Sequence, residues 1–142
     1  MEWYFSSRTI HRESIKKIGE ILKKHGHEVS FEWTDFDKLE SFDKTYELSE
    51  KIRNGIINSE IFVMISDKEG TDMYVELGIA IQNYKKMGNP KIYSIGRYNK
   101  RSLMLNHESI KHFKTIEKFF HDEHFAVFCS EKIIFQNFKK QN

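Results

Sequence analysis

Asp67, Asp72 and Glu76 fall within ten residues, in the run "SDKEGTDMYVELGIAI" (66–81). At a reacting centre a carboxylate serves as a nucleophile, stabilises developing positive charge, or holds and delivers a proton. Glu76 is the most conspicuous of the three. From Gly70 to Ile81 the chain has the apolar content and length of a helix. The neighbours of Glu76 three and four positions away are Asp72, Met73, Ile79 and Ala80, so the local helix supplies no cation. Asp72 is a like charge on the preceding turn. Gly78, at mid-helix, costs ~1 kcal/mol relative to Ala, which is explicable if the helix must approach the sheet or a ligand closely. Such clusters of locally unfavourable choices concentrate at functional sites. Each residue also has a plainer reading. Glu76 fits a solvent-facing helix edge, Asp72 an N-cap, and Asp67 a loop carboxylate.

The elements that must position these residues follow from periodicity. "EWYFS" (2–6) reads as an aromatic strand. Thr9 is a suitable N-cap for a helix with Ile15, Ile18 and Leu22 on one face; Lys23, Lys24, His25 and then Gly26 suit its end. "HEVSFEW" (27–33) alternates as a second strand, and 36–43 is a polar loop. A second helix fits 44–58. "IFVMIS" (61–66) is a continuous apolar run of the kind that forms a central parallel strand covered on both faces. The third helix spans about 72–86. "NP" ends that region, "KIYSIG" (91–96) is a fourth strand, and 110–113 a short fifth. Residues 114–142 are an aromatic helical extension of the same domain, with a helix expected from Ser130.

Alternating strands and helices predict a single α/β domain over 1–142. It is expected to be a three-layer, flavodoxin-like (Rossmann-like) parallel sheet in the order 2-1-3-4-5. Open α/β sheets bind ligands beyond the carboxyl ends of the strands, where the strand order reverses. Here those ends are Ser6, Ser7 and Arg8 after strand 1, and Asp67 to Thr71 after strand 3.

Composition excludes several classes. The 142 residues hold 23 Lys and Arg against 21 Asp and Glu, a formal charge of +2, which does not suit a coat for polymeric nucleic acid. One cysteine, Cys129, rules out an internal disulfide framework, fits a reducing cytoplasmic setting, and reads as a buried small hydrophobe among aromatic residues. The chain starts without a signal-peptide pattern and contains no run of ~18 apolar residues to span a membrane. There is no Gly-x-Gly-x-x-Gly and no Walker A motif, and the acidic pair of a response-regulator receiver is replaced by Ser6-Ser7. His121-Asp-Glu-His124 reads as a charged helix end rather than a metal site. No metal and no cofactor is expected.

Four segments together resemble the nucleoside 2-deoxyribosyltransferase-like superfamily: "WYFSSR", "LKKHGHEVSFEWTD", "IINSEIFVMIS" and "GTDMYVELGIAI". The last is the most specific, matching the family's Glu-Leu-Gly-x-Ala. The resemblance covers about residues 2–113 and implies that Glu76 is a catalytic nucleophile at C1′ of a nucleoside or nucleotide. A glycosyl ester would form and pass to water or to a second base. Asp72 or Asp67 is then a candidate to protonate the leaving base. Ser6, Ser7 and Arg8 are candidates for a 5′-phosphate; turn and capping chemistry suits them equally. Trp33 and Asp35, with Gly70 and Thr71, are further candidates for substrate contact, Trp33 also fitting the core. The resemblance implies a homodimer or larger homo-oligomer, supported by the all-round apolar third helix, with Asn106 or His107 as residues lent between subunits. A non-catalytic module binding nucleotide or NAD-type ligands is the alternative, since binding needs only the pocket. The pattern also resembles Toll/interleukin-receptor-type NAD-cleaving domains, which implies a broader N-glycosidase reading. Lys68 and Glu69 have no role in this reading.

Overall fold

A computed structural model of the protein describes residues 1–36 and 42–125, the side chains of 42–44 excepted. Five parallel strands form one sheet in the order 2-1-3-4-5, as expected. In chain order the elements are β1 (Glu2–Ser6), α1 (Arg12–Lys24), β2 (Glu28–Val29), α2 (Phe42–Asn58), β3 (Ile61–Ile65), α3 (Asp72–Met87), β4 (Lys91–Ile95), β5 (Ile110–Phe113) and α4 (Ile116–Asp122). Three short 3-10 turns cover Thr9–His11, Trp33–Asp35 and Leu103–Asn106.

The period-2 alternation of strands divides the aromatic and aliphatic residues between two cores. Trp3 and Phe5 of β1, with Ile61, Val63 and Ile65 of β3, face α1 and α4. Tyr4, Phe62 and Met64 face α2 and α3. Burial on both faces explains why β3 reads as an unbroken apolar run. Each large side chain so enclosed contributes about 1.5–3 kcal/mol. The face holding Tyr4 also takes Ser6, which directs the end of β1 toward α3.

Several boundaries differ from the sequence expectation. β2 is two residues long, not seven. A longer parallel strand would use the backbone carbonyl of Phe5. The Ser30 N–H still donates to Trp3 O at 2.8 Å, but Trp33 Nε1 then takes Phe5 O at 2.7 Å and the pairing stops, while Ser30 Oγ turns away to donate to Gly55 O at 2.7 Å. Thr9 is not an N-cap; it opens a 3-10 turn without a side-chain capping bond, and α1 starts at Arg12. The end of α1 matches expectation, with Gly26 at φ +78° and His27 N bonded to Leu22 O. α3 stops at Gly88, in the left-handed conformation at φ +80°. α4 lies within the stretch expected to be helical, ahead of the helix placed from Ser130. Thr115 Oγ1 caps it by accepting from Lys118 N, and Phe119 and Phe120 anchor it in the core. His121 lies in its last turn, exposed. Cys129 and the helix expected from Ser130 lie outside the described residues. Among the described residues no helix is long and apolar enough to cross a membrane.

Gly78 does not serve a close approach to the sheet. A Cβ there meets nothing within 4 Å, and the adjacent surface carries Val75 at 65% exposure.

Candidate active site

β1 places Tyr4 and Ser6 on one face, and the second turn of α3 places Glu76 above them. The Tyr4 hydroxyl donates to Glu76 Oε2 at 3.1 Å. Ser6 Oγ is buried and finds no hydrogen-bond partner in full geometry, yet it lies near enough to the same carboxylate to favour its charged form. Burial acts the other way and dominates. It raises the Glu76 pKa from 4.5 to about 7, with Asp72 adding to the rise and Ser6 and Tyr4 opposing it. Burial thus carries the protonated form of Glu76 to higher pH than an exposed helical glutamate holds it. Tyr4, fully buried beside this carboxylate, has its own pKa pushed well above 10, chiefly by desolvation.

The carboxylate opens on a cleft of about 210 Å³. α3 contributes Asp72, Met73 and Glu76. The segment entering α1 contributes Ser7, Thr9 and Arg12. Trp33 and Phe36, with Leu48 and Ile52 of α2, supply an aromatic and aliphatic wall. The Trp33 indole is held in place by its bond to Phe5 O. The Phe36 ring lies 5.7 Å from Phe31 and under the Lys51 ammonium. Acid, cation, hydroxyls and flat apolar surface therefore share one opening, at the switch point of the sheet.

The structure brings Glu76, Asp72, Ser7 and Trp33 together in this lining, with Ser6 directly behind Glu76. Asp72 is the first residue of α3 rather than its N-cap, which falls on Thr71. The other sequence candidates lie elsewhere. Asp67 is buried and ion-paired with Arg8 at 3.2 Å, and Arg8 also holds Glu69 at 2.9 Å. Asp35 is exposed, 3.8 Å from Lys16. Gly70 takes φ +102°, and a Cβ there would meet Met73 Sδ at 2.7 Å, so it is a shape requirement of the loop. Thr71 is exposed and makes no side-chain cap. Thr9 and Arg12 were missed as candidates. They enter the cleft because the 3-10 turn shifts the helix start by two residues, a change that apolar periodicity does not reveal.

Tyr4→Phe provides a direct probe of the carboxylate. Removing the donor removes the Tyr4 hydrogen bond, which favours the charged form, so the Glu76 pKa is expected to rise above about 7. Carbon-detected NMR titration of the Glu76 carboxyl checks the direction; an unchanged or lower midpoint contradicts it.

Fold and cleft together define an open parallel α/β domain with an acidic ligand cleft at its topological switch point. Among solved structures the chain is similar to the Clostridium botulinum CMP N-glycosidase BcmB, with a TM-score of 0.58 and 12% sequence identity, covering 90% of this chain and 100% of that one. At that identity the likeness is one of fold. No protein-family model matches the chain, and no curated protein matches it in sequence.

Proposed function

We propose that the protein cleaves the N-glycosidic bond of a nucleoside 5′-monophosphate, with Glu76 as nucleophile. The observation carrying this reading is the half-buried Glu76 carboxylate, held by Tyr4 and open to a cleft that also offers aromatic surface and a guanidinium. The fold likeness to a CMP N-glycosidase supports it. In the first displacement a Glu76 oxygen bonds to C1′ as the C1′–N bond breaks. The base leaves with that electron pair and takes a proton, which Asp72, in the same lining, is placed to deliver. Water, or a second base, then attacks C1′ and releases Glu76. Trp33 and Phe36 offer their faces to the base, and Arg12 with Ser7 and Thr9 receives the phosphate.

Nucleosides, their 5′-monophosphates and NAD, incubated separately and resolved by chromatography, test the reaction. Free base is expected from a monophosphate. A 2′-fluoro-2′-deoxynucleotide is expected to leave an ester whose mass shift maps to Glu76. Binding without base release across the whole set would replace the enzyme with a nucleotide-binding module, the second reading that this cleft accommodates.

The proposal extends to assembly. Val75 and Leu103 are exposed to 65% and 86%, and open space flanks Gly78. A second copy packing on the outer face of α3 would bury this surface and carry Asn106 or His107 toward the neighbouring cleft. Sedimentation equilibrium is expected to show a dimer at micromolar concentration, and Val75→Glu to shift it to monomer; a wild-type monomer at high micromolar concentration refutes this.

A further inference from the structure

Asp67 and Arg8 stand at the edge of the cleft as charged residues outside its lining, and Asp67 is bonded on all sides by protein. Its Oδ1 accepts from Arg8 Nη1 at 3.2 Å and from the backbone N–H of Glu69 at 3.0 Å. Its Oδ2 lies 3.4 Å from His11 Nε2, and both of those side chains are 1% exposed. Its backbone carbonyl accepts from Arg101 Nη1 at 3.1 Å. These donors come from three separate segments: the turn between β1 and α1, the loop between β3 and α3, and the connection after β4. Arg101 continues the linkage by lying over the Tyr74 ring, 5.5 Å from its centroid, two residues before Glu76. Arg8 continues it on the other side, with Nη2 on Glu69 and its Cγ 3.3 Å from the Cβ position of Gly70.

We infer that Asp67 is a positioning residue acting through Arg8: it locks the turn that carries Ser7 and Thr9 to the loop that leads into α3, the helix of Asp72 and Glu76, and it takes no proton in the reaction. This rests on the proposed function for its catalytic consequence, but the linkage itself is a property of the folded chain. A proton donor must reach the departing base. Asp67 is enclosed, and the lining is formed by its neighbours instead. A displacement of about 1 Å between a nucleophile and the groups that hold its substrate lowers rates by about a hundredfold. Arginine suits the role because one planar fork serves two acceptors, Asp67 and Glu69, which a lysine ammonium matches less well.

The test is a double-mutant cycle on Asp67→Asn and Arg8→Met, read in two ways. Hydrogen exchange needs no substrate. Each single variant is expected to raise exchange about tenfold or more in both loops, residues 7–9 and 69–72, and the double variant no further. Arg8→Lys is expected to fall between wild type and Arg8→Met. Base release from the monophosphate is expected to fall about a hundredfold in each single variant and no further in the double. The inference is overturned if each substitution loosens its own loop only, or if the two rate effects multiply, as they would for an independent acid. If Asp67→Asn does not fold, Arg8→Met and Arg8→Lys carry the exchange test, and protection kept at 69–72 in both overturns the linkage. Wild-type protein that releases no base refutes the proposed reaction while leaving the exchange result to decide the linkage.

Discussion

Glu76→Gln is expected to lower base release about a thousandfold and to make the protein more stable above neutral pH. The rate effect follows from removing the oxygen nucleophile and its charge at C1′, a loss on the order of several kcal/mol of barrier. The stability effect follows from linkage. The folded-state pKa of Glu76 is raised to about 7 from 4.5. The folded protein therefore holds this proton more tightly than the unfolded chain. That contribution is fully present below about pH 4.5 and is lost as pH rises through about 7. Across that interval the loss approaches about 3 kcal/mol, reduced somewhat because Glu76 is only partly enclosed. Gln does not ionise and keeps an oxygen to accept from Tyr4. The variant and wild type should have similar thermal midpoints near pH 4.5 and diverge by several degrees at pH 8, the variant being higher. Opposite signs for activity and stability at one residue separate a functional carboxylate from a structural one. A variant destabilised at pH 8, or one retaining near wild-type base release, refutes the assignment.

Arg12→Gln is expected to separate phosphate from base recognition. Arg8 is committed to Asp67 and Glu69, whereas Arg12 lines the cleft beside Ser7 and Thr9. Losing a charge-assisted contact of about 1.5–3 kcal/mol weakens binding roughly ten- to hundredfold. By calorimetry the affinity for a nucleoside 5′-monophosphate should fall by that factor, while the affinity for the parent nucleoside changes little. The nucleoside arm matters because Arg12 Nη2 also donates to Phe36 O at 2.5 Å. An equal loss for both ligands would mean that Arg12 braces the Phe36 wall instead of reading phosphate.

Much of this architecture was legible in the sequence because parallel strands and long helices carry strong periodicity. The run from Ile61 to Ile65 and the helix from Asp72 are placed within a residue or two. So is the proximity of Glu76 to the strand 1 and strand 3 loops, which follows from topology alone. What was not legible depends on side chains replacing backbone. Trp33 takes the Phe5 carbonyl at the edge of β1 and shortens β2, although Val29, Phe31 and Trp33 alternate as a strand would. Likewise the 3-10 turn at Thr9–His11 exchanges Arg8 for Arg12 in the cleft. The seven residues of α4 are too few to show a helical period, and Thr115 lacks the acidic partner three positions on that would have marked a capping box.

Ser30 and Gly55 together give α2 a say in the chemistry. Ser30 ties Gly55 O to the edge of β1. A Cβ on Gly55 would lie 2.7 Å from Phe31 Cβ and 3.2 Å from the Tyr4 ring. Tyr4 is the lever that holds the Glu76 oxygen. One added methyl group, on a residue outside the cleft lining, would press on the ring whose hydroxyl helps to hold the Glu76 carboxylate in its charged form. The pKa of Glu76 is therefore open to drift through a packing contact, with every residue of the cleft unchanged.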